Sequence, residues 1–269
     1  MGYDVAPEFS PTGNLSYLQM KRDGYEADKN DIIIDFKGIK LNLTSNWDGT
    51  VDSFKWSVDG KKVYFIAAVD GTKQLFEVNF PGSTKIAIQV NQITNGDFDV
   101  NEIVAFSGNN VIVTRGDMNH AADIYSFDLK KKSWKQLTTI NAAVYDTLAL
   151  SKTEKRYVTT TDGKKMLVWV ILPPNFDATK KYPTLLYCQG GPQSALTQFY
   201  SFRWNFQLMA ANGYIVVAPN RRGMPGHGVA WNEQISKDWG GQVMDDYLSA
   251  IDDVSKENYV DKNRLGCVG

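Results

Sequence analysis

A chain of 269 residues has room for one large domain or two of ordinary size. Hydrophobic residues at 43% and charged residues at 22% exclude a disordered or low-complexity chain. With 29 Lys and Arg against 30 Asp and Glu the net charge is −1, which argues against a basic nucleic-acid binder.

The longest apolar runs, residues 63–69 and 168–172, are strand-length and well short of the ~20 residues of a membrane span. Cys188 and Cys267 cannot build a disulfide framework. With only His120 and His227 as histidines, no metal-ligand spacing is present. Met1-Gly2-Tyr3-Asp4 carries no basic or apolar leader pattern.

From about residue 5 to 140 the chain reads as short β-runs separated by turns, and it repeats. Phe9-Ser10-Pro11-Thr12-Gly13 returns as Trp56-Ser57-Val58-Asp59-Gly60, and in degraded form as Phe106-Ser107-Gly108. Each is followed by a β-rich run (15–18, 62–66, 111–113) and a second one (31–36, 74–80, 123–129). Each repeat closes on Leu43-Thr44, Ile93-Thr94 or Leu137-Thr138. The period of about 45 to 50 residues is that of one four-stranded propeller blade. Glycine supplies the positive φ of each turn, and the aromatic before it is expected to pack between neighbouring blades. A β-sandwich with coincidental turn spacing is the alternative. Residues 1–150 therefore read as a partial β-propeller of about three blades, too few to close a ring.

From residue 152 the pattern changes. Two strands, 156–161 and 166–172, flank an Asp162-Gly163 turn, and residues 184–188 form a continuous apolar strand. Helical spacing of Phe199, Phe202, Phe206, Met209 and Ala210 predicts a helix over 198–212, with Gly213 at its C-terminal cap. Residues 214–219 are a second buried strand. A helix over 242–256 places Val243, Tyr247, Ala250, Ile251 and Val254 on one stripe, with Asp246, Ser249 and Asp253 opposite. Residues 264–269 begin a third strand. The order predicts a doubly wound, mostly parallel α/β sheet over 151–269.

The chemistry is expected at the carboxyl ends of these strands. Gln189-Gly190-Gly191-Pro192 follows the first buried strand with its amides uncovered, the place of an oxyanion loop in α/β-hydrolases. Asn220-Arg221-Arg222-Gly223-Met224-Pro225-Gly226-His227-Gly228 follows the second. Its glycine spacing fits neither a dinucleotide nor a phosphate loop, so Arg221, Arg222 and Gly223 read as a structural loop beside the site. His227 reads as structural or exposed. The carboxylate pairs Asp245-Asp246 and Asp252-Asp253 read as solvated helix charge, because adjacent helical residues point about 100° apart. Leu265-Gly266-Cys267-Val268-Gly269 is what precedes the serine of a G-x-S-x-G elbow. On that reading the nucleophile lies just after Gly269, with the acid and histidine further on. It requires residues 265–268 to run in the middle of the sheet, near the Ile215 strand.

A propeller leading into a hydrolase sheet resembles the prolyl oligopeptidase family of serine peptidases, in its dipeptidyl-peptidase branch of the bacterial dipeptidyl-peptidase V type. The resemblance rests on Gln189-Gly190-Gly191-Pro192-Gln193-Ser194, Phe202-Arg203-Trp204-Asn205, Asn220-Arg221-Arg222-Gly223, Asp238-Trp239-Gly240-Gly241 and residues 264–269. It implies an α/β-hydrolase fold and release of dipeptides from free N-termini of peptide substrates through an acyl-enzyme. No cofactor or metal is implied, and a periplasmic or secreted parent protein is. A chain ending at Gly269 would lack all three triad groups and be inactive by itself. Family relatives carry Tyr or His where Gln189 stands, so an oxyanion role for its side chain departs from the family pattern. An acylaminoacyl peptidase or esterase of the same fold, and a non-catalytic propeller binding protein, are the alternatives.

Overall fold

The alternating strand-and-turn segments of the first 140 residues fold, in the computed structural model, into three successive four-stranded sheets. The structure describes residues 2–83, 88–191 and 193–269. The first sheet is β1 (Asp4–Phe9), β2 (Leu15–Gln19), β3 (Asp31–Phe36) and β4 (Ile39–Asn42). The second is β5 (Ser53–Trp56), β6 (Lys62–Val69), β7 (Thr72–Asn79) and β8 (Val90–Gln92); the third is β9 (Asp99–Ser107), β10 (Asn110–Asp117), β11 (His120–Asp128) and β12 (Ser133–Gln136). Strands sit side by side in chain order in all three.

The sequence repeat falls at equivalent places. The three glycine turns join the first and second strands of each sheet, and each closing threonine lies two residues beyond the fourth strand. Thr44 donates its hydroxyl to Asp31 Oδ1 (2.7 Å) and accepts from the Ile32 amide (3.0 Å). Thr94 does the same with Gln74 Oε1 (2.8 Å) and Leu75 (2.9 Å), and Thr138 with Asp123 Oδ1 (2.6 Å) and Ile124 (2.9 Å). Trp56 and Phe106 pack between neighbouring sheets, Trp56 in the core shared by the first two and Phe106 of the third against Tyr64 of the second. Phe9 does not: it is 69% exposed.

The chain divides into two compact units. One holds these sheets (residues up to 115, 122–138 and 226–229); the other holds 116–121, 139–225 and 230–269. The second unit is built on a five-stranded sheet of β13 (Lys152–Thr159), β14 (Lys165–Leu172), β15 (Tyr182–Tyr187), β16 (Ile215–Pro219) and β17 (Val260–Val268), in the order β13-β14-β16-β15-β17. The pairs β13–β14 and β14–β16 are antiparallel, whereas β15 runs parallel to both β16 and β17. After α1 (Ala142–Tyr145), the helices are α2 (Phe206–Ala211), α3 (Val229–Glu233) and α4 (Gln242–Val254).

Both faces of the inner strands β14 and β16 are covered, which is why these strands read as continuous apolar runs. Along β14, Met166, Val168, Val170 and Leu172 face α4, while Leu167, Trp169 and Ile171 face α2. The apolar stripe of α4 is the one its 3.6-residue spacing predicts, with Val243, Ile251 and Val254 each contributing about 1.5–3 kcal/mol.

Three expectations are corrected. The helix predicted over 198–212 begins only at Phe206. Ser201 Oγ accepts from the Arg203 and Trp204 amides, which makes a turn, and the Asn205 side chain caps α2 by accepting from the Leu208 amide (2.9 Å). Phe202, counted on the helical stripe, is 88% exposed. Next, residues 265–268 do not run in the middle: β17 is the outer strand, beside β15 and one removed from β16. The helices explain this. With α4 on the face opposite α2, a right-handed crossover from β16 runs back over β15 and sets β17 on its far side. Lastly, Asp246 is not solvated helix charge but fully buried, bound to Arg222.

Candidate functional site

Neighbouring parallel strands β15 and β16 send their following loops to opposite faces, the first toward α2 and the second toward α4. Such a divergence opens a crevice at the carboxyl ends of the strands, where sheets of this class bind ligands. β17 ends at the same place. Tyr187 is in register with Val268, and the Cys188 amide donates to the Val268 carbonyl (2.7 Å).

Gln189, Gly190 and Gly191 leave the end of β15. Gln189 is half-buried, the two glycines are exposed, and Gly191 has φ +85°. Pro192, the last residue of the motif, lies outside the described residues. The Gln189 carbonyl oxygen is doubly held: Arg221 Nη2 donates to it (2.9 Å) and so does the Tyr247 hydroxyl (3.1 Å). Arg221 Nε donates to the same Tyr247 oxygen (3.0 Å), and its Nη1 to the Arg222 carbonyl (2.7 Å). A second tie joins the loops further on. Asn220 Oδ1 accepts from the Leu196 amide (3.0 Å) and its Nδ2 donates to the Leu196 carbonyl (2.8 Å).

Beneath this lies a buried ion pair. Arg222, 1% exposed, donates from Nη1 to Asp246 Oδ1 (3.1 Å) and from Nη2 to Asp162 Oδ1 (2.7 Å). Its amide donates to Asp246 Oδ2 (2.9 Å), and its guanidinium lies 4.6 Å from the Trp231 ring centroid. Gly223 has φ +96°, and a Cβ there would meet Ile235 Cγ2 at 2.6 Å, so no other residue fits this bend.

Burial sets the charge states. It pushes the Tyr247 phenol and the Cys188 thiol up, keeping both neutral donors, and it also pushes the Asp246 carboxyl up against the bonds that lower it. The Thr160 hydroxyl and then Arg222 hold Asp162 down at about 2.

The structure thus ties Gln189, which leads into Gly190 and Gly191, to Arg221, with Arg222 and Gly223 following in the same loop after β16. Gly226, His227 and Gly228 belong to the other unit. Tyr247 and Asp246 went unread as site residues. Tyr247 sits on the apolar stripe of α4, where an aromatic is indistinguishable from core, and nothing local in the sequence pairs Asp246 with Arg222.

Residues 200–269 match the model of the prolyl oligopeptidase family, and residues 39–167 that of the dipeptidyl peptidase IV N-terminal region. The two matches together take in most of the chain. The chain is 44% identical to dipeptidyl-peptidase 5 of Porphyromonas gingivalis and 46% identical to that of Porphyromonas endodontalis. All of this chain is covered in both cases, and 39% and 38% of the relatives, so the chain spans about two fifths of their length. Among solved structures, acylaminoacyl peptidase of Pyrococcus horikoshii superposes with a TM-score of 0.80 at 22% identity, covering 94% of this chain and 38% of the other.

Proposed function

We propose that this chain is part of a serine exopeptidase that releases dipeptides from the free N-termini of short peptides. Residues 1–150 supply blades of a β-propeller and residues 151–269 the N-terminal part of an α/β-hydrolase sheet. Because β17 is the outer strand among the described residues and not the middle one expected from the sequence, this reading requires a further strand of the complete polypeptide to pair beyond it; Gly269 is then the first glycine of the nucleophile elbow, with a serine two positions on and the carboxylate and the histidine later in the polypeptide. The serine attacks the scissile carbonyl, the histidine acts as base and then acid, and the carboxylate orients it. Gln189, Gly190 and Gly191 supply the loop that stabilises the oxyanion.

The observation that carries this reading is the Gln189–Gly191 loop, uncovered at the end of β15 and directly beside the end of β17. The dipeptidyl-peptidase 5 relatives support the substrate class. Likeness to an acylaminoacyl peptidase supports a second reading, in which the substrate's N-terminus is blocked.

One assay separates them. The complete polypeptide is offered a chromogenic aminoacyl-aminoacyl substrate with a free N-terminus and its N-acetylated counterpart, with covalent labelling by a fluorophosphonate as the check for an activated serine. Faster turnover of the free form is expected. Preference for the blocked form selects the second reading, and absence of both labelling and turnover overturns the two together.

A further inference from the structure

The peptide linking Gln189 to Gly190 is trans, so its carbonyl and its amide N–H point in opposite directions. Its carbonyl oxygen accepts from two buried groups, the Arg221 guanidinium at 2.9 Å and the Tyr247 hydroxyl at 3.1 Å. Both lone pairs of that oxygen are therefore engaged on the side of Arg221 and Tyr247. The Gly190 N–H is aimed away from them, on the exposed side of the loop. Arg221 and Tyr247 also hold each other, through Nε and the phenol oxygen at 3.0 Å. The three groups form a closed triangle whose vertices come from the loop after β15, the loop after β16, and α4.

Such a triangle does two things to the amide. It fixes the plane of the peptide, which a glycine-rich exposed loop does not fix by itself. It also places a cation on the carbonyl oxygen, and polarising a peptide at its acceptor end strengthens its donor end. An amide prepared in both respects suits a charge that develops only in the transition state, because no reorganisation remains to be done when it forms.

We propose that Arg221 and Tyr247 are positioning residues for this site: by clamping the Gln189 carbonyl they aim and polarise the Gly190 N–H as a donor to the substrate's developing oxyanion. The assignment rests on the serine-peptidase reading given above. Neither side chain touches substrate. Their effect is confined to the step in which the carbonyl oxygen gains charge, so it falls on turnover and not on ground-state binding.

The test uses the complete polypeptide as wild type, Tyr247→Phe and Arg221→Met. Tyr247→Phe removes one oxygen from the triangle, and is expected to lower kcat about 3- to 10-fold. Arg221→Met removes the charge and the guanidinium donors, and is expected to lower kcat roughly 30-fold or more, a large part of the loss seen when an oxyanion donor is deleted. KM stays within about twofold in both. Affinity for a dipeptide boronate, which forms a tetrahedral adduct on the serine, falls in step with kcat/KM, while affinity for the product dipeptide does not change.

If Arg221→Met fails to fold, Tyr247→Phe carries the test alone. An active wild type whose folded variants keep kcat, or lose boronate and product affinity equally, overturns the positioning role and leaves the peptidase reading standing. A wild type with neither turnover nor fluorophosphonate labelling overturns the peptidase reading, and the positioning role with it.

Discussion

At the scale of single residues the repeat is a matter of hydroxyl groups. Each closing threonine bridges a side-chain oxygen and the next backbone amide of the third strand, so one residue type satisfies a donor and an acceptor that the fourth strand has already passed. The sequence showed the three threonines in register but not what they bind. Their partners are Asp31, Gln74 and Asp123, and the middle one, a glutamine, breaks the pattern a reader would search for. Burial sets the third bridge apart from the first two. Thr94 is buried and Thr138 only half-buried. Thr94→Val, which keeps the shape and orphans the Leu75 amide, is expected to cost about 2 kcal/mol; Thr138→Val, whose orphaned amide can reach water, is expected to cost under about 1 kcal/mol. Urea midpoints of the two variants measure the difference, and equal shifts would mean that burial does not set the cost.

Elements were legible where packing and local pattern agreed. The stripe of α4 and the two-faced strands β14 and β16 follow from apolar periodicity, because both faces of the sheet are covered at these inner strands. The helix predicted over 198–212 failed because aromatic residues at helical spacing say nothing about backbone competition. Ser201 and Asn205 bind nearby amides and delay the helix to Phe206. The β13–β14 turn hid a further feature. Asp162 closes it next to Gly163, and its carboxylate also reaches Arg222.

That turn has a consequence for acid stability. The Thr160 hydroxyl and Arg222 hold Asp162 at about 2, below its ordinary 3.8. A carboxyl depressed by folding adds stability that is fully present above the ordinary value and is lost as pH falls through the folded one. Asp246, raised by burial, has the opposite sign: its contribution is present in acid and is lost as pH rises through its folded value. Between pH 4 and pH 2 the wild type is therefore expected to lose stability through Asp162, and Asp162→Asn to flatten that limb. Urea midpoints across this range test it, and an unchanged acid limb in Asp162→Asn would remove the turn from the acid response.

At the scale of the whole molecule, the chemistry depends on strand order, which no local pattern encodes. The sequence placed buried strands at β15 and β16 and a third at the end of the chain, but it could not say which neighbours which. The faces taken by α2 and α4 decide it, and they bring Gly269 against Cys188 across 81 positions of sequence. This contact leaves no room for a side chain: a Cβ on Gly269 would collide with the Cys188 carbonyl oxygen, which is backbone and cannot swing aside. A Cβ on Gly266 would meet Leu185 Cδ2 at 3.3 Å, the end of a flexible side chain. Gly266 within β17 and Gly269 just past its end are thus expected to respond differently to the same substitution. In the complete polypeptide, Gly269→Ala is expected to cost about 1–3 kcal/mol, the range for forcing atoms into a packed site. Because the strain falls on the residue that leads into the Gln189–Gly191 loop, turnover is expected to fall at least about tenfold. Gly266→Ala is expected to leave stability within about 1 kcal/mol and turnover within about twofold. Chemical denaturation and steady-state kinetics of the pair read both effects. Equal behaviour of the two variants would mean that the ends of β15 and β17 do not meet as closely as the register requires, and the site would lose the juxtaposition on which its chemistry was argued.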